Sequence, residues 1–215
     1  MQYLATKKRF IGIGLLLCTA VTSQAFAQSA STTPSTARTQ AVQATEKAER
    51  FPKQIQLEGV KLALNGLGTR YKAIFKVYDM GLYTSAKAGT MQEAINAPGP
   101  KKLQFVAHRE ISTSEIGRLF YQGIKDNNSA ELNLKHMASA ARLSDIASVR
   151  SKILPGESFS MEFVPGKGLT FFVMDKPQGP AIGDAEFFSM VMKIWLGNVP
   201  ADYLLKDALL GIPKR

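Results

Sequence analysis

The chain has 215 residues, with 27 lysines and arginines against 17 acidic residues, a formal net charge of +10 and a single cysteine. The cations are scattered, without interleaved aromatic residues or zinc-knuckle spacing, so we predict no nucleic-acid partner. One cysteine and two histidines also exclude a disulfide framework, and they lack the spacing of a metal site. No cofactor is predicted.

Residues 1–27 have the three parts of a secretory signal peptide. Residues 7–9 are basic, residues 10–21 form a short apolar run, and the Ala-Phe-Ala that ends at Ala27 is a cleavage site. Cleavage there removes three cations, no acid and Cys18, so the charge falls from +10 to +7 and no thiol is left. We therefore predict a periplasmic or secreted protein, with an uncleaved membrane anchor as the alternative.

Residues 28–50 are rich in Ser, Thr, Ala and Gln and contain almost no large apolar side chain. Such a segment buries too little apolar surface to offset the entropy of ordering. We predict a disordered leader or tether here, with helix near its end. One domain is predicted over residues 51–215, a length that supports a sizeable core.

The domain begins with two predicted strands. Apolar residues alternate over residues 55–64 and again over residues 71–83, as in half-buried strands. Between the two, Gly66 and Gly68 predict a turn, because glycine adopts backbone angles closed to other residues. Arg70 would leave this turn at the start of the second strand.

The rest of the domain alternates helices and strands, with limits set by capping residues, helical periodicity and Pro-Gly breaks. The predicted elements are a helix from Thr90 to Pro98, a strand at 103–108, a helix from Ser112 or Thr113 to Asp126, a helical region at 132–149 split near Ser144, a hairpin at 158–174, a loop at 177–183, a helix from Asp184 to Gly197 and a helix at 200–210. This order predicts an α+β fold whose mostly antiparallel sheet is covered on one face by helices.

Motifs for nucleophilic, phosphate and metal chemistry are missing. No serine lies in a GxSxG elbow, and residues 66–68 lack the third glycine and the following helix of a nucleotide loop. His108 and His136 are predicted to lie at the surface or on a helix face. A Ser-His-Asp triad assembled in space stays open as an alternative.

Arg70 is the candidate ligand-binding residue. In an apolar pocket its guanidinium can bind a carboxylate or enolate through two parallel hydrogen bonds, and a tyrosine hydroxyl can add a third. Tyr78 and Tyr83 follow on the same predicted strand, five residues apart, so they face opposite sides. The sequence leaves open which of them faces a cleft.

The predicted helices carry many phenylalanine and methionine side chains. Two interpretations stay open for them: packing in the core, or lining an elongated apolar pocket.

Four segments of the chain, taken in sequence order, resemble the chalcone isomerase-like superfamily, in its bacterial exported branch. They are NGLGTRYKAIFKVYDMGLYT, LQFVAHREISTSEIGRLF, ILPGESFSMEFVPGKGLTFFV and IGDAEFFSMVMKIWLGNVP, within residues 54–211. The resemblance implies an open-faced β-sandwich with a ligand cleft between the sheet and the helices. In this family the plant enzymes close a chalcone to a flavanone, and non-catalytic relatives bind fatty acids.

The resemblance places Arg70 at the shared anion-holding arginine and Tyr78 at the tyrosine of the fatty-acid binders. The enzymes' ketone-polarising tyrosine falls near Ile116 and their substrate-binding asparagine near Gly123, and neither residue can do that chemistry. The first hypothesis is therefore a non-catalytic binder of a fatty acid or similar amphipathic carboxylate, with Arg70, Tyr78 and Tyr83 as ligand-binding residues. The alternative is an isomerase, an intramolecular lyase of an enone or phenolic substrate, with Arg70 as its catalytic residue. A third hypothesis is an envelope protein whose basic surface contacts anionic lipid.

Overall fold

The computed structural model describes residue 45 and residues 47–213. The predicted signal peptide and most of the predicted leader lie outside the described residues. Residues 47–50 are helical and lead into Phe51. Within the described part no helix is long and apolar enough to cross a bilayer.

The described domain confirms the predicted α+β fold. Its strands are β1 (Gln54–Leu57), β2 (Val60–Lys72), β3 (Phe75–Thr84), β4 (Lys101–Ala107), β5 (Ile111–Ser112), β6 (Lys152–Ile153), β7 (Ser158–Val164), β8 (Gly168–Val173) and β9 (Lys176–Pro177). Its helices are α1 (Met91–Asn96), α2 (Thr113–Asn127), α3 (Ala130–Lys135), α4 (Met137–Ala147), α5 (Ala185–Leu196) and α6 (Tyr203–Leu209). Seven strands form one antiparallel sheet in the order β1-β2-β3-β4-β7-β8-β9, and β5 pairs with β6 apart from it.

Helices cover one face of the sheet because its strands alternate apolar side chains toward them. Met80 and Leu82 of β3 and Phe105 of β4 share one buried cluster with Phe188 and Trp195 of α5. Two predicted caps are confirmed: Thr90 Oγ1 accepts from the Glu93 amide at 3.2 Å, and Asp184 Oδ1 accepts from the Phe187 amide at 2.9 Å. Ser112 precedes α2 as predicted but makes no side-chain cap. The core therefore lies between the sheet and α5.

The predicted turn at Gly66 and Gly68 is wrong. Both glycines lie inside β2, which continues to Lys72, and the chain turns at residues 73–74 instead. A Cβ on Gly66 would lie 2.3 Å from the carbonyl oxygens of two residues of α6, Ala208 and Leu209. The missing side chains let α6 pack directly on the strand. A second turn, at residues 58–59, divides the predicted strand 55–64 into β1 and β2.

The predicted break of the helical region near Ser144 is also wrong. The helix breaks at His136, whose backbone angles of φ −105° and ψ 15° separate α3 from α4. His136 was predicted to lie at the surface or on a helix face, and it is instead buried at the break between two helices. Its Nε2 is 2.6 Å from Glu186 Oε2, and its ring lies 5.9 Å from that of Phe187. The residue is buried because its ring packs against α5.

A charged cluster around Asp79 lies on the sheet face away from these helices. Thr69 donates a hydrogen bond to Asp79 Oδ1, Lys47 Nζ is 3.2 Å from the same oxygen, and His108 Nε2 is 3.2 Å from Oδ2. Burial favours the neutral acid, but the Thr69 hydrogen bond, the Lys47 charge and His108 outweigh it and hold the pKa of Asp79 below its ordinary value.

Replacing Asp79 by asparagine is expected to lower the free energy of unfolding by about 2 kcal/mol at neutral pH. Because the folded-state pKa is depressed, this stabilisation is present above the unfolded pKa of about 3.9 and is lost as the pH falls below it. Urea unfolding of both proteins across pH measures it, with Asp145→Asn, at an exposed position, as the matched control. A gap between wild type and Asp79→Asn that stays constant into acid would contradict this account.

Candidate functional site

A cavity of about 320 Å³ lies between the sheet and the helices α2 and α5. Its apolar wall is formed by Tyr78, Phe105 and Phe159 from the strands and by Phe120, Ile194 and Trp195 from the helices. The Phe105 and Phe159 rings stack in parallel with centroids 4.5 Å apart, and the Trp195 ring lies 5.2 Å from that of Phe105. These contacts fix the aromatic wall, so the cavity is preformed.

Arg70 and Tyr78 meet at this cavity because the β2–β3 hairpin pairs them directly. Residues opposite each other on antiparallel strands share a face of the sheet. The Cζ of Arg70 lies 5.6 Å from the centroid of the Tyr78 ring, within the range of a cation–π contact. The two residues that the sequence analysis joined by resemblance are therefore spatial neighbours.

The Tyr78 hydroxyl lies beside two hydrogen-bond donors, Trp195 and Arg70, so its own proton is used by neither of them. It accepts a hydrogen bond from Trp195 Nε1 at 2.9 Å. Burial raises the pKa of Tyr78, and the Arg70 charge and the Trp195 hydrogen bond only partly oppose that shift. The hydroxyl therefore stays protonated at neutral pH, and its hydrogen can be donated to an anion in the cavity.

Two guanidinium groups line the cavity with unsatisfied hydrogen-bond donors. The Nε–H of Arg70 and that of Arg109 are both buried and have no hydrogen-bond partner within residues 47–213. Buried N–H groups are nearly always paired in native proteins, and leaving one unpaired costs about 1–3 kcal/mol. An anion bound beside these two guanidinium groups would provide the kind of acceptor that the unpaired donors lack.

Arg109 was missed by the sequence analysis, although the sequence holds a signal for it. It follows Leu103, Phe105 and Ala107 at intervals of two, and these three belong to the core cluster on the helix-covered face. Extending the period-two pattern past the end of β4 points Arg109 to the same face. The preceding His108 bonds Asp79 on the opposite face, as the pattern requires.

The outer lining of the cavity has more positive than negative charge. Lys72 and Arg118 add two cations to the partly buried Arg70 and Arg109, against the carboxylates of Glu115 and Asp126. Lys72 Nζ lies 3.8 Å from Glu115 Oε1 and both side chains are substantially exposed, so this pair is weak. The excess of positive charge around the cavity attracts an anion toward its opening.

Tyr83 is not brought to the cavity. Its ring is almost completely buried but lies outside both the cavity lining and the core cluster that contains Tyr78. The five-residue spacing puts the two tyrosines on opposite faces of β3, as the period of a strand requires. Burial raises the pKa of Tyr83, and its hydroxyl has no partner within the described chain.

Ile116 and Gly123 both line the cavity, where the resemblance places the tyrosine and asparagine of the enzymes. Neither side chain offers a hydrogen-bond donor. A Cβ on Gly123 would lie 2.9 Å from Ile194 Cγ2, so a larger residue there would require Ile194 to move. Across the described residues, no three His, Cys, Asp or Glu side chains are grouped as metal ligands.

Comparison with known proteins agrees with this architecture. A family model described as chalcone isomerase-like matches residues 43–211, beginning ahead of the predicted domain start at residue 51. No curated protein matches the sequence. The crystal structure of a fatty-acid binding protein from Arabidopsis thaliana matches with a TM-score of 0.58 and 14% identity, over 74% of this chain and 90% of that one. At this identity the match shows a shared fold.

Proposed function

The chain belongs to the chalcone isomerase-like family, and on that premise we propose that it binds a fatty acid or a similar amphipathic carboxylate without transforming it. The observation that carries the proposal is the buried, unpaired Nε–H of Arg70 beside the protonated Tyr78 hydroxyl, at one apolar cavity. In this arrangement Arg70 pairs the carboxylate, Tyr78 donates a further hydrogen bond, and the aromatic wall covers the tail.

The size of the cavity favours a short or medium acyl chain. Ligand cavities usually span about 300–1,000 Å³, and the volume of about 320 Å³ is at the lower end of that range. The likeness to a fatty-acid binding protein of the same fold supports the ligand class. A fatty acid should therefore be extracted from natively purified protein and identified by mass spectrometry. The absence of any bound acid, together with no displacement of a fluorescent fatty acid, would refute the proposal.

Replacing Tyr78 by phenylalanine is expected to weaken fatty-acid binding by roughly 3- to 10-fold, because one neutral hydrogen-bond donor is lost. The matched control is Tyr83→Phe, which removes a hydroxyl from the same strand but outside the cavity. Displacement of a fluorescent fatty acid measures both variants, with thermal unfolding to check the fold. Equal weakening by the two substitutions would contradict the assignment of Tyr78 to the ligand.

The isomerase alternative needs a donor for the substrate ketone, and Ile116 and Gly123 provide none. An arginine alone can still stabilise an enolate or phenolate in a water-poor cleft, with an effect of about 3–4 kcal/mol for one donor. Chalcone cyclisation assays on wild type and Arg70→Gln separate the two functions. Faster turnover by wild type would favour the isomerase, and equal rates would exclude it.

We also propose that the mature protein works in the periplasm or outside the cell, in peripheral contact with anionic lipid. The basic, apolar and small-residue parts of residues 1–27 support export, and the net positive charge supports the lipid contact. Intact-mass measurement of the exported protein should give a chain that begins at Gln28. A protein that keeps Met1 would contradict cleavage.

A further inference from the structure

The turn between β2 and β3 exposes large apolar side chains. Ile74 is 83% exposed and the adjacent Phe75 is 63% exposed. Hairpin turns ordinarily carry Gly, Asn, Asp or Ser, and large apolar residues are usually buried. We call residues 71–76 the hairpin tip. The hairpin tip is therefore more apolar than an ordinary solvent-exposed turn.

The start of α6, which contacts the hairpin tip, also exposes large apolar side chains. The backbone amide of Tyr71 donates to Asp202 Oδ2 at 3.0 Å, so the start of α6 lies against the hairpin. The next two residues, Tyr203 and Leu204, are each 65% exposed. Exposed apolar side chains therefore occur on two elements that this hydrogen bond joins.

Cations lie around this surface, together with the carboxylates of Glu115, 3.8 Å from Lys72, and of Asp202 at the start of α6. Lys72 and Lys76 flank the turn and are exposed, and Arg118 is exposed at the adjacent cavity opening. Exposed aromatic and aliphatic side chains flanked by lysine are the composition of segments that enter the boundary between lipid headgroups and acyl chains. Each cation also gains from the negative potential of an anionic membrane.

We propose that the hairpin tip, together with Tyr203 and Leu204, docks on the surface of an anionic lipid bilayer. A bilayer fits better than a protein partner because a two-residue turn offers far less than the roughly 800 Å² that each partner buries in a stable protein interface. A projecting tip can enter a fluid lipid surface without a complementary shape on the other side.

Docking in this way turns the cavity opening toward the membrane. Lys72 lies both on the hairpin tip and in the cavity lining, and Arg70 is two residues away on the same strand. A fatty acid could then pass between the bilayer and the cavity without crossing bulk water. This passage of a fatty acid rests on the proposed fatty-acid binding, whereas the docking assigns a surface to the proposed lipid contact and does not rest on fatty-acid binding.

Flotation with vesicles of phosphatidylcholine alone, and of phosphatidylcholine mixed with phosphatidylglycerol, tests the docking. Wild type should float only with the mixed vesicles. Ile74→Ser/Phe75→Ser should lower vesicle affinity at least about tenfold. The matched control, Leu134→Ser/Val149→Ser, changes two apolar residues that are 72% and 66% exposed elsewhere and should leave vesicle affinity unchanged.

The charge contribution has its own matched pair of variants. Lys72→Gln/Lys76→Gln should lower affinity for the mixed vesicles by about 25-fold, at about fivefold for each lysine. Lys53→Gln/Lys61→Gln removes two exposed lysines. Lys61 lies at the other end of β2, roughly 35 Å of strand away from Lys72, and this variant should have little effect.

A fluorescence measurement locates the contact. Phe75→Trp should shift its emission to shorter wavelength when mixed vesicles are added, while the buried Trp195 gives a constant background. No shift, or equal flotation of wild type and the Ser variant of the hairpin tip, would overturn the docking. A dimer that only the hairpin-tip variant abolishes would instead assign this surface to a second copy of the chain and would also overturn it.

The two proposals can fail separately. Ile74 and Phe75 do not line the cavity. In vesicle-free solution, Ile74→Ser/Phe75→Ser should therefore bind a fluorescent fatty acid with the same affinity as wild type. Vesicle binding without fatty-acid binding would refute the proposed fatty-acid binding alone. Fatty-acid binding with no preference for the mixed vesicles would refute the docking alone.

Discussion

Replacing Arg70 by glutamine is expected to weaken the binding of a fatty acid by roughly 10- to 100-fold, and to leave the binding of its methyl ester unchanged. Hydrogen bonds to charged groups contribute about 1.5–3 kcal/mol, and each 1.4 kcal/mol corresponds to a factor of ten in affinity. The ester keeps the acyl chain but carries no charge, so it has little interaction with the guanidinium. Displacement of a fluorescent fatty acid, titrated with the acid and with the ester, measures both.

The control for this prediction is Arg118→Gln, which removes an exposed cation from the outer lining of the same cavity. Screening by solvent limits its effect to a few-fold. Arg109→Gln provides a second comparison, because its Nε–H is also buried and unpaired. If Arg109→Gln loses fatty-acid binding and Arg70→Gln does not, the carboxylate would be assigned to Arg109 instead. Equal loss of acid and ester in Arg70→Gln would show a general defect in the cavity.

The fold could be predicted where the pattern of the sequence is local. The period-two alternation of β4 and of the β7–β8 hairpin, and the caps at Thr90 and Asp184, all form between neighbouring residues. Gly66 was wrongly predicted to lie in a turn. A glycine can mark either a turn or a position where another backbone packs closely on a strand. What decides between the two is a helix some 140 residues further along the chain.

The candidate site divides in the same way. The chemistry of Arg70 could be predicted, since a guanidinium that leaves an apolar strand suits an anion. Its distance to Tyr78 depends on the hairpin register, which the misplaced turn concealed. His136 was predicted to lie at the surface or on a helix face because its partners Glu186 and Phe187 lie about fifty residues away. The residues adjacent to His136 in the sequence give no indication of such long-range contacts.

Replacing Gly66 by alanine is expected to lower the free energy of unfolding by at least about 3 kcal/mol, the upper part of the usual range for overpacking. The added Cβ would lie 2.3 Å from two backbone carbonyl oxygens of α6, and no side-chain rotation relieves that overlap. For a domain of this size the midpoint of thermal unfolding should fall by roughly 6–12 °C. Urea and thermal unfolding measure both quantities.

Gly89→Ala is the matched control, since within the described part of the chain a Cβ there would have only Glu93 Oε2 nearby, at 3.7 Å. Its stability should stay within about 0.5 kcal/mol of wild type. Displacing α6 would also disturb the site, because Asp202 both caps that helix and accepts the Tyr71 amide next to Arg70. Gly66→Ala should therefore weaken fatty-acid binding as well as stability. An alanine at Gly66 tolerated as well as one at Gly89 would show that α6 does not depend on this close approach, and would remove the link between the packing of α6 and the position of Arg70.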